Sequence, residues 1–228
     1  MDINSIFDGV ASNAIWRSLL GVMASPVRFL RKHGTVLGLL PIARHLREQG
    51  VTRFVFSRND YPERLDAYLE RAQHSIKIVS ISLRWTNNEC ALTDIFRRKL
   101  ASNPSFEIVV SLLALDSNAV SLAAHALNID ASSLAVEISE MLNDLRTLRE
   151  SLPPPDRGRF HVLTHDSLPM GSAILLDVTP TSGIIQVETK LYRAPGVESF
   201  SFEVRGPSAF YQRNLIAWHR IISESKVI

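Results

Sequence analysis

The sequence of 228 residues predicts an α/β fold, with a mixed, mostly parallel sheet flanked by helices and an α-helical N-terminal extension before it. From Val51 onward, segments rich in β-branched residues alternate with amphipathic segments, a pattern typical of strands joined by helical crossovers. Segments 75–83 and 106–115 are continuous and largely apolar, as expected of strands covered on both faces. We therefore predict a helical extension at 1–50 and an α/β domain at 51–228.

The first fifty residues have the pattern of amphipathic helices. Five side chains at helical spacing form one apolar face: Ile15, Trp16, Leu19, Leu20 and Met23. Gly50 is a predicted stop signal, since glycine readily adopts the left-handed conformation that ends helices. A basic amphipathic segment such as 10–47 can bind a protein partner or lie on a membrane surface. We favour packing of this segment on its own domain or on a second subunit.

The remaining elements follow from changes in hydrophobic period along the chain. Between 51 and 152 the pattern predicts strands at 51–57, 75–83 and 106–115 and helices at 61–74, 88–101, 119–127 and 131–152. Asp130 is a predicted N-cap, because its carboxylate can accept from the free amides of the first helical turn. The prolines at 153–155 end that helix, since proline has no amide hydrogen. Beyond them the pattern predicts strands at 159–164, 172–178, 184–193 and 199–204 and a helix at 208–223.

Composition limits the function classes. The chain is 46% hydrophobic and 21% charged, which suits a folded domain with a buried core. A net charge of +2 without a clear basic stripe does not indicate nucleic acid as a partner. Cys90 is the only cysteine, which excludes an internal disulfide and a cysteine-based zinc site. Because the sequence has neither a signal-peptide pattern nor a run of about 18 apolar residues, we expect a cytoplasmic protein.

One strand of the second half contains the most informative spacing. Three features of residues 54–203 resemble one half of a phospholipase D-like protein. They are the strand order, the helix and strand of 65–83, and the buried strand that ends at Asp116. The resemblance implies a catalytic strand with the motif His-x-Lys-x4-Asp. In that family the histidine attacks phosphorus, the lysine binds the phosphate oxygens and the aspartate supports the histidine.

This chain departs from the motif at two of its three positions. Placing Asp177 at the aspartate puts Met170 at the histidine and Ser172 at the lysine. A thioether forms no useful phospho-enzyme intermediate, and a hydroxyl supplies no positive charge. The resemblance therefore implies a catalytically degenerate domain that acts as a ligand-sensing or protein-interaction module without a cofactor. Since the family pairs two such halves and this chain contains one, it also implies a homodimer.

Three further side chains are candidate site residues. Arg84 and Asp116 each follow a buried strand, where open α/β sheets place loops that contact ligands, and with Ser172 they form the predicted ligand-binding set. His165 lies five residues before Met170 and is a candidate catalytic residue if its loop returns toward the site. A histidine beside an aspartate and a serine more often satisfies local hydrogen bonds, and we favour that role.

An alternative function uses the predicted hairpin around 179–183. Asp177, Glu188 and Lys190 have the order Asp…Glu-x-Lys that is similar to the core of restriction-endonuclease-like nucleases. There, two carboxylates hold Mg²⁺ or Mn²⁺ and the lysine positions or activates water. The same residues occur often in an exposed strand face with a cross-strand ion pair, which we favour over the metal-dependent nuclease.

Overall fold

The computed structural model describes residues 36–57, 60–83, 92–168, 171–190, 193 and 200–228. Most of the predicted partner-binding segment at 10–47 lies outside the described residues, as do Arg84 and Met170.

A single mixed sheet of eight strands organises the described part of the chain, in the order β1-β7-β6-β5-β2-β3-β4-β8. The α/β class predicted from the sequence is confirmed. The strands are β1 Val51–Val55, β2 Ser75–Ser80, β3 Glu107–Leu113, β4 Phe160–His165, β5 Gly171–Leu176, β6 Ile184–Thr189, β7 Ser201–Arg205 and β8 Lys226–Val227.

Seven helices accompany the sheet within the same described ranges. They are α1 Val36–Glu48, α2 Leu65–Glu70, α3 Leu92–Ser102, α4 Ala119–Leu127, α5 Ala131–Ser151, α6 Pro154–Arg157 and α7 Ala209–Glu224. The predicted N-cap of α5 is confirmed, because the Asp130 carboxylate accepts from the Ser133 amide at 3.0 Å. The helix predicted at 61–74 is shorter than expected, and the two-residue strand β8 was not predicted at all.

The expectation of a mostly parallel sheet is wrong in detail. Among the described strands only β2–β3 and β3–β4 pair in parallel, and the other five pairs are antiparallel. The physical reason lies in the connections. A parallel neighbour requires a long crossover. β5, β6 and β7 follow one another at short intervals whose described residues contain no helix, and they form an antiparallel meander.

Each face of the sheet has its own apolar core. The larger core lies between the sheet and helices α2 to α5 and includes Ile78, Val110 and Leu176. The smaller core lies under α7, where Val79 and Leu175 meet Tyr211, Leu215 and Trp218. Because side chains alternate along a strand, even-numbered residues of β2 and β5 face the larger core and odd-numbered residues face α7. Leu46 of α1 also packs against the smaller core.

Asp177 joins two strands that are distant in sequence. It follows β5 with a left-handed φ of 50°, a conformation that aspartate tolerates better than most residues. Its carboxylate accepts three backbone amides from the segment before β2: Gln73 at 2.8 Å, His74 at 2.7 Å and Ser75 at 2.8 Å. This contact fixes the start of β2 against the end of β5, and Ile76 then pairs with Leu176 in the antiparallel ladder.

No single helix within the described ranges is both long enough and apolar enough to cross a membrane. Helices α4 and α5 reach that length and composition only when taken together, and they meet at a bend of 112°.

We expect Asp177→Ala to lower the free energy of unfolding by about 2 kcal/mol, because three amides lose a charged acceptor and alanine disfavours the left-handed conformation. Asp177→Asn should cost less, since asparagine tolerates that conformation and keeps one acceptor. The matched control is Asp116→Ala, an exposed aspartate for which we expect a change within about 0.5 kcal/mol. Chemical denaturation of the three variants measures this, and equal values for Asp177→Ala and Asp116→Ala would contradict it.

Candidate functional site

A row of polar side chains crosses four neighbouring strands on the face of the larger core. It consists of Ser80 of β2, Ser172 of β5, Glu188 of β6 and Ser201 of β7, and we call it the polar row. The ladder pairs Ser172 with Glu188 and Glu188 with Ser201, so these side chains project from the same face. All four are buried, with exposed fractions of 0–8%. Buried polar side chains in a continuous row are uncommon without a partner or a function.

Two of the three serines in the row, Ser80 and Ser172, are hydrogen-bonded to each other. The Oγ atoms of Ser80 and Ser172 lie 2.9 Å apart, and Ser80 Oγ also donates to the carbonyl of Ser82 at 2.6 Å. A hydroxyl has one hydrogen to donate, so Ser172 is the donor of the serine pair. The position where the resemblance implies a lysine is therefore filled by a buried hydroxyl that already has an acceptor.

The acidic member of the row has a neighbouring cation. Lys190 Nζ contacts Glu188 Oε1, and both residues come from the same strand end. The cross-strand ion pair expected from the sequence is thus a pair within one strand. Glu188 is only 6% exposed. Its carboxylate can be accommodated in the row because the charge of Lys190 compensates it.

Beside the row lies a cluster of buried polar atoms, which we call the orphan cluster. Within the described residues, the hydroxyls of Tyr61, Tyr68 and Ser201 and the Oε2 atom of Glu203 make no well-aligned hydrogen bond. The Tyr61 and Ser201 hydroxyls are close enough to interact with each other, and Arg71 lies 3.5 Å from Glu203 Oε2. Ser201 belongs to both groups, and Glu203 lies two residues further along β7 on the same face. Because buried polar groups are nearly always hydrogen-bonded, several orphaned atoms in one place indicate a site for a bound molecule or for water.

The burial of the cluster raises the pKa of both tyrosine hydroxyls. Burial raises the pKa of Tyr61, while the Ser201 hydroxyl and the Arg53 charge partly offset that effect. Burial also raises the pKa of Tyr68, and the negative charge of Glu203 raises it further. Both hydroxyls therefore keep their protons at neutral pH and remain able to donate a hydrogen bond.

Ion pairs enclose the orphan cluster. Oε1 of Glu203 accepts from Thr52 at 2.6 Å and from Arg205 at 3.2 Å, and Arg71 lies 3.5 Å from Oε2. Glu63 binds two arginines, Arg53 at 3.0 Å and Arg71 at 2.9 Å. The same two guanidinium groups lie over the tyrosine rings, 5.8 Å from the centroid of Tyr61 and 5.0 Å from that of Tyr68.

His165 is buried at the end of β4 and held by the main chain. Its Nδ1 lies 2.9 Å from the carbonyl of Ser167, and its Nε2 lies 3.2 Å from the carbonyl of Ser80. Burial lowers its pKa, although both carbonyls and the charge of Asp166 act in the opposite direction. Each ring nitrogen faces a carbonyl oxygen, so neither is directed at the polar row as a nucleophile.

The arrangement required by the nuclease alternative is not formed. The hairpin register puts Glu188 opposite Ser172, which lies five residues before Asp177 on β5. At a rise of about 3.4 Å per residue, this separates Asp177 from Glu188 by roughly 17 Å along the sheet. The described ranges contain no group of three or more histidine, cysteine, aspartate or glutamate side chains able to hold a metal ion. Asp177 and Glu188 are therefore too far apart to share one Mg²⁺ or Mn²⁺ ion.

The remaining predicted site residues lie apart from the row or outside the described residues. Asp116 is exposed in the turn between β3 and α4, where the hydroxyl of Ser117, rather than the carboxylate, accepts the Ala119 amide at 3.1 Å. Arg84 lies outside the described residues. Of the predicted set, the structure brings Ser172, Glu188 and Lys190 together and places His165 near Ser80.

Comparisons with known proteins place the fold in context. No protein-family model matches the chain, and no curated protein matches it. Solved structures similar to it include Nuc from Salmonella typhimurium, a phospholipase D family member: identity is 10%, the TM-score is 0.38, and the match covers 72% of this chain and 87% of that one.

Two further similar structures belong to larger proteins. Phosphatidylserine synthase of Haemophilus influenzae is 12% identical with a TM-score of 0.46, and the match covers 77% of this chain and 39% of that chain. TrmBL2, an archaeal chromatin protein with a novel mode of DNA binding, is 9% identical with a TM-score of 0.45 over 100% of this chain and 72% of that one. At such TM-scores none of the three assigns a role to any residue here.

The orphan cluster was missed because its members come from separate elements. One signal was present in the sequence. Alternation in 199–203 places Phe200 and Phe202 on one face of a strand, so Ser201 and Glu203 must share the other. Since both faces of this sheet are covered, that alternation predicts buried polar groups. Nothing in the pattern around Tyr61 or Tyr68 indicates that they meet this strand.

The buried His165 predicts a pH dependence of stability. Because its pKa in the folded protein lies below the usual 6.5, the unfolded chain binds the proton more readily, and protons favour unfolding. The free energy of unfolding should therefore be highest above about pH 6.5 and fall as the pH is lowered toward about 5. His165→Gln should reduce this slope without abolishing it, since burial also lowers the pKa of His219. Denaturation series between these pH values measure the slope, and an unchanged slope in the variant would exclude His165 as its source.

Proposed function

We propose that this chain is a phospholipase D-like domain without phosphodiesterase activity, which binds a small polar ligand at the polar row and the orphan cluster. The single observation that carries the proposal is the buried Ser80–Ser172 pair at the position where the resemblance implies a lysine. The α/β fold with its mixed sheet is compatible with that resemblance, and the argument for function rests on the residues of the site.

The site lacks the charge that phosphoryl transfer requires. A transition state at phosphorus spreads negative charge over several oxygens, and preorganised cations or donors stabilise it. Here Ser172 donates to Ser80, and its neighbour across the ladder is the carboxylate of Glu188. Lys190 contacts Glu188 and is compensated by it. A phosphodiester at this row would meet the Ser172 hydroxyl where the resemblance implies a lysine, with the carboxylate of Glu188 next to it.

The site also lacks, among its described residues, the histidine nucleophile that the resemblance implies. Met170 stands at the implied histidine position in the sequence, and a thioether is not a competent nucleophile for phosphorus. His165 is the nearest candidate for substitution, but both of its nitrogens lie within 3.2 Å of main-chain carbonyls. Asp177 holds backbone amides at the opposite end of β5, so it gives no support to a catalytic histidine at the start of that strand.

Binding explains the orphaned atoms better than a purely structural role does. An unsatisfied buried hydroxyl or carboxylate oxygen costs about 1–3 kcal/mol relative to its hydrated state. The Tyr68 hydroxyl bears this cost, and the poorly aligned contacts of Tyr61, Ser201 and Glu203 add to it, in a domain whose total stability is on the order of 10 kcal/mol. A ligand or ordered water that pairs with them removes the penalty, which favours occupancy of the site.

We also propose that the chain forms a homodimer and that segment 10–47 binds a partner. Leu46 packs on the smaller core, which supports docking of the C-terminal end of that segment on its own domain. A second subunit is then proposed to use the remainder of the segment.

Hydrolysis assays test whether the domain is without phosphodiesterase and nuclease activity. We expect no turnover of bis(p-nitrophenyl) phosphate and no cleavage of single- or double-stranded nucleic acid, with or without Mg²⁺ or Mn²⁺. The reason is that Met170 and Ser172 replace the histidine and lysine that the resemblance implies, and the described carboxylates form no metal-binding group. His165→Ala is the matched variant for metal-independent turnover, and Glu188→Gln is the matched variant for metal-dependent cleavage. Metal-independent turnover that disappears in His165→Ala would overturn the proposal, and so would metal-dependent cleavage that disappears in Glu188→Gln.

A further inference from the structure

We infer that the outer face of α4 and α5 binds the basic N-terminal segment of a second copy of this chain. The inference rests on the homodimer in the proposed function and assigns the surfaces through which its two subunits meet. It is independent of the ligand site. Three features carry it: apolar side chains exposed on that face, the charge of the face, and the composition of residues 10–35.

The outer face of α4 has apolar side chains that the fold leaves uncovered. Seven of the nine residues of α4 are alanine, valine or leucine, and a helix that is apolar all round is normally buried on every side. Ala123 and Ala124 face the larger core, whereas Leu122 is 60% exposed. After the turn that follows α4, Ile129 is 41% exposed and Val136 of α5 is 53% exposed. Such a concentration of exposed apolar side chains marks an interaction surface.

The same face is acidic. Residues 116–145 include five aspartate and glutamate side chains and no lysine or arginine. Glu140 and Asp144 follow Val136 at intervals of four residues, so the three side chains form one line along α5, and both carboxylates are exposed. The amide of Arg193 donates to a carbonyl of α4 at 2.7 Å, so one arginine borders the face. An apolar strip among carboxylates favours a partner that is both apolar and positively charged.

The N-terminal segment has the complementary chemistry. Residues 10–35 contain four arginine and lysine side chains and no aspartate or glutamate. Their sequence predicts an apolar helix face that includes Trp16, Leu19 and Met23. A basic amphipathic helix can place such side chains on an apolar strip and its cations beside carboxylates. A membrane surface would also bind the segment, but it would leave the exposed side chains of α4 and α5 uncovered.

The path of the chain favours the segment of a second copy over that of the same copy. Leu46 of α1 packs on the smaller core, and α1 leads into β1 at one edge of the sheet. Helices α4 and α5 lie on the other face, where α5 contacts β3 and β4. In the strand order, β4 is six spacings from β1, roughly 29 Å at about 4.8 Å per spacing.

Docking within one copy would therefore require the segment to pass around an edge of the sheet and cross most of its width. In a two-fold dimer no such path is needed. Each copy presents its own segment to the α4–α5 face of the other, so that the same contact is made twice.

Charge reversal followed by rescue tests this interface in the full chain, with sedimentation equilibrium as the measurement. The face variant is Glu140→Lys with Asp144→Lys, and the segment variant is Arg28→Glu with Arg31→Glu. We expect the wild type to dimerise and each variant to raise the dimer dissociation constant at least tenfold, because every reversal acts at both contacts of the dimer. The variant that combines all four changes should recover most of the lost affinity, since its charges are opposite again.

The matched control is Asp94→Lys with Glu224→Lys. It changes the net charge by the same amount as the face variant, and both carboxylates are exposed and lie outside α4 and α5. We expect the control to keep the dissociation constant of the wild type. Equal weakening in the control would trace the effect to net charge and overturn the inference, and so would a combined variant that recovers no affinity.

The failure of the inference and that of the homodimer are distinguishable. If the wild type dimerises and the face variant keeps its dissociation constant, the interface lies elsewhere, so the inference fails and the homodimer stands. If the wild type is a monomer at about 100 µM, both fail. Flotation of that monomer with phosphatidylserine vesicles, lost only in the segment variant, would assign the segment to a membrane instead.

Discussion

The carboxylate of Asp177 holds together the half of the sheet on which the site depends. It accepts three backbone amides from residues more than a hundred positions earlier and thereby fixes β5 against β2. The rest of the meander, β6 and β7, takes its register from β5. An aspartate at this place is therefore required by the fold whether or not the strand carries catalytic residues.

The polar row and its chemistry follow from the register of β5, β6 and β7. The Ser80–Ser172 hydroxyl pair stands where the resemblance implies a lysine. Lys190 contacts the carboxylate of Glu188, and each ring nitrogen of His165 faces a main-chain carbonyl. These features remove the histidine nucleophile and the lysine charge that the resemblance implies. The charged groups of the wall contact one another through the ion pairs around Glu203 and Glu63, so hydrogen bonding is the main interaction left for a ligand to use. The account of binding without chemistry rests on these contacts.

Periodicity in the sequence was sufficient for the α/β class, for most helices and strands and for the cap at Asp130, because each depends on neighbouring residues. It did not predict that β5 lies beside β2 in antiparallel orientation, since that pairing depends on the contact of Asp177 with amides at 73–75. Of the candidate site residues, Ser172 and Glu188 lie next to each other in the polar row. Tyr61 and Tyr68 were missed, because tertiary packing alone brings a loop and a short helix over β7.

The stability of two tyrosine variants without ligand tests the central claim most directly, namely that the polar groups of this site lack partners in the free protein. Tyr68 and Tyr211 are both almost completely buried, but the hydroxyl of Tyr68 has no partner and that of Tyr211 donates to the carbonyl of Thr179 at 2.9 Å. Denaturation should show that Tyr211→Phe lowers the free energy of unfolding by about 1 kcal/mol, whereas Tyr68→Phe leaves it unchanged or raises it. Equal losses in the two variants would mean that the Tyr68 hydroxyl is already satisfied, and the account would be contradicted.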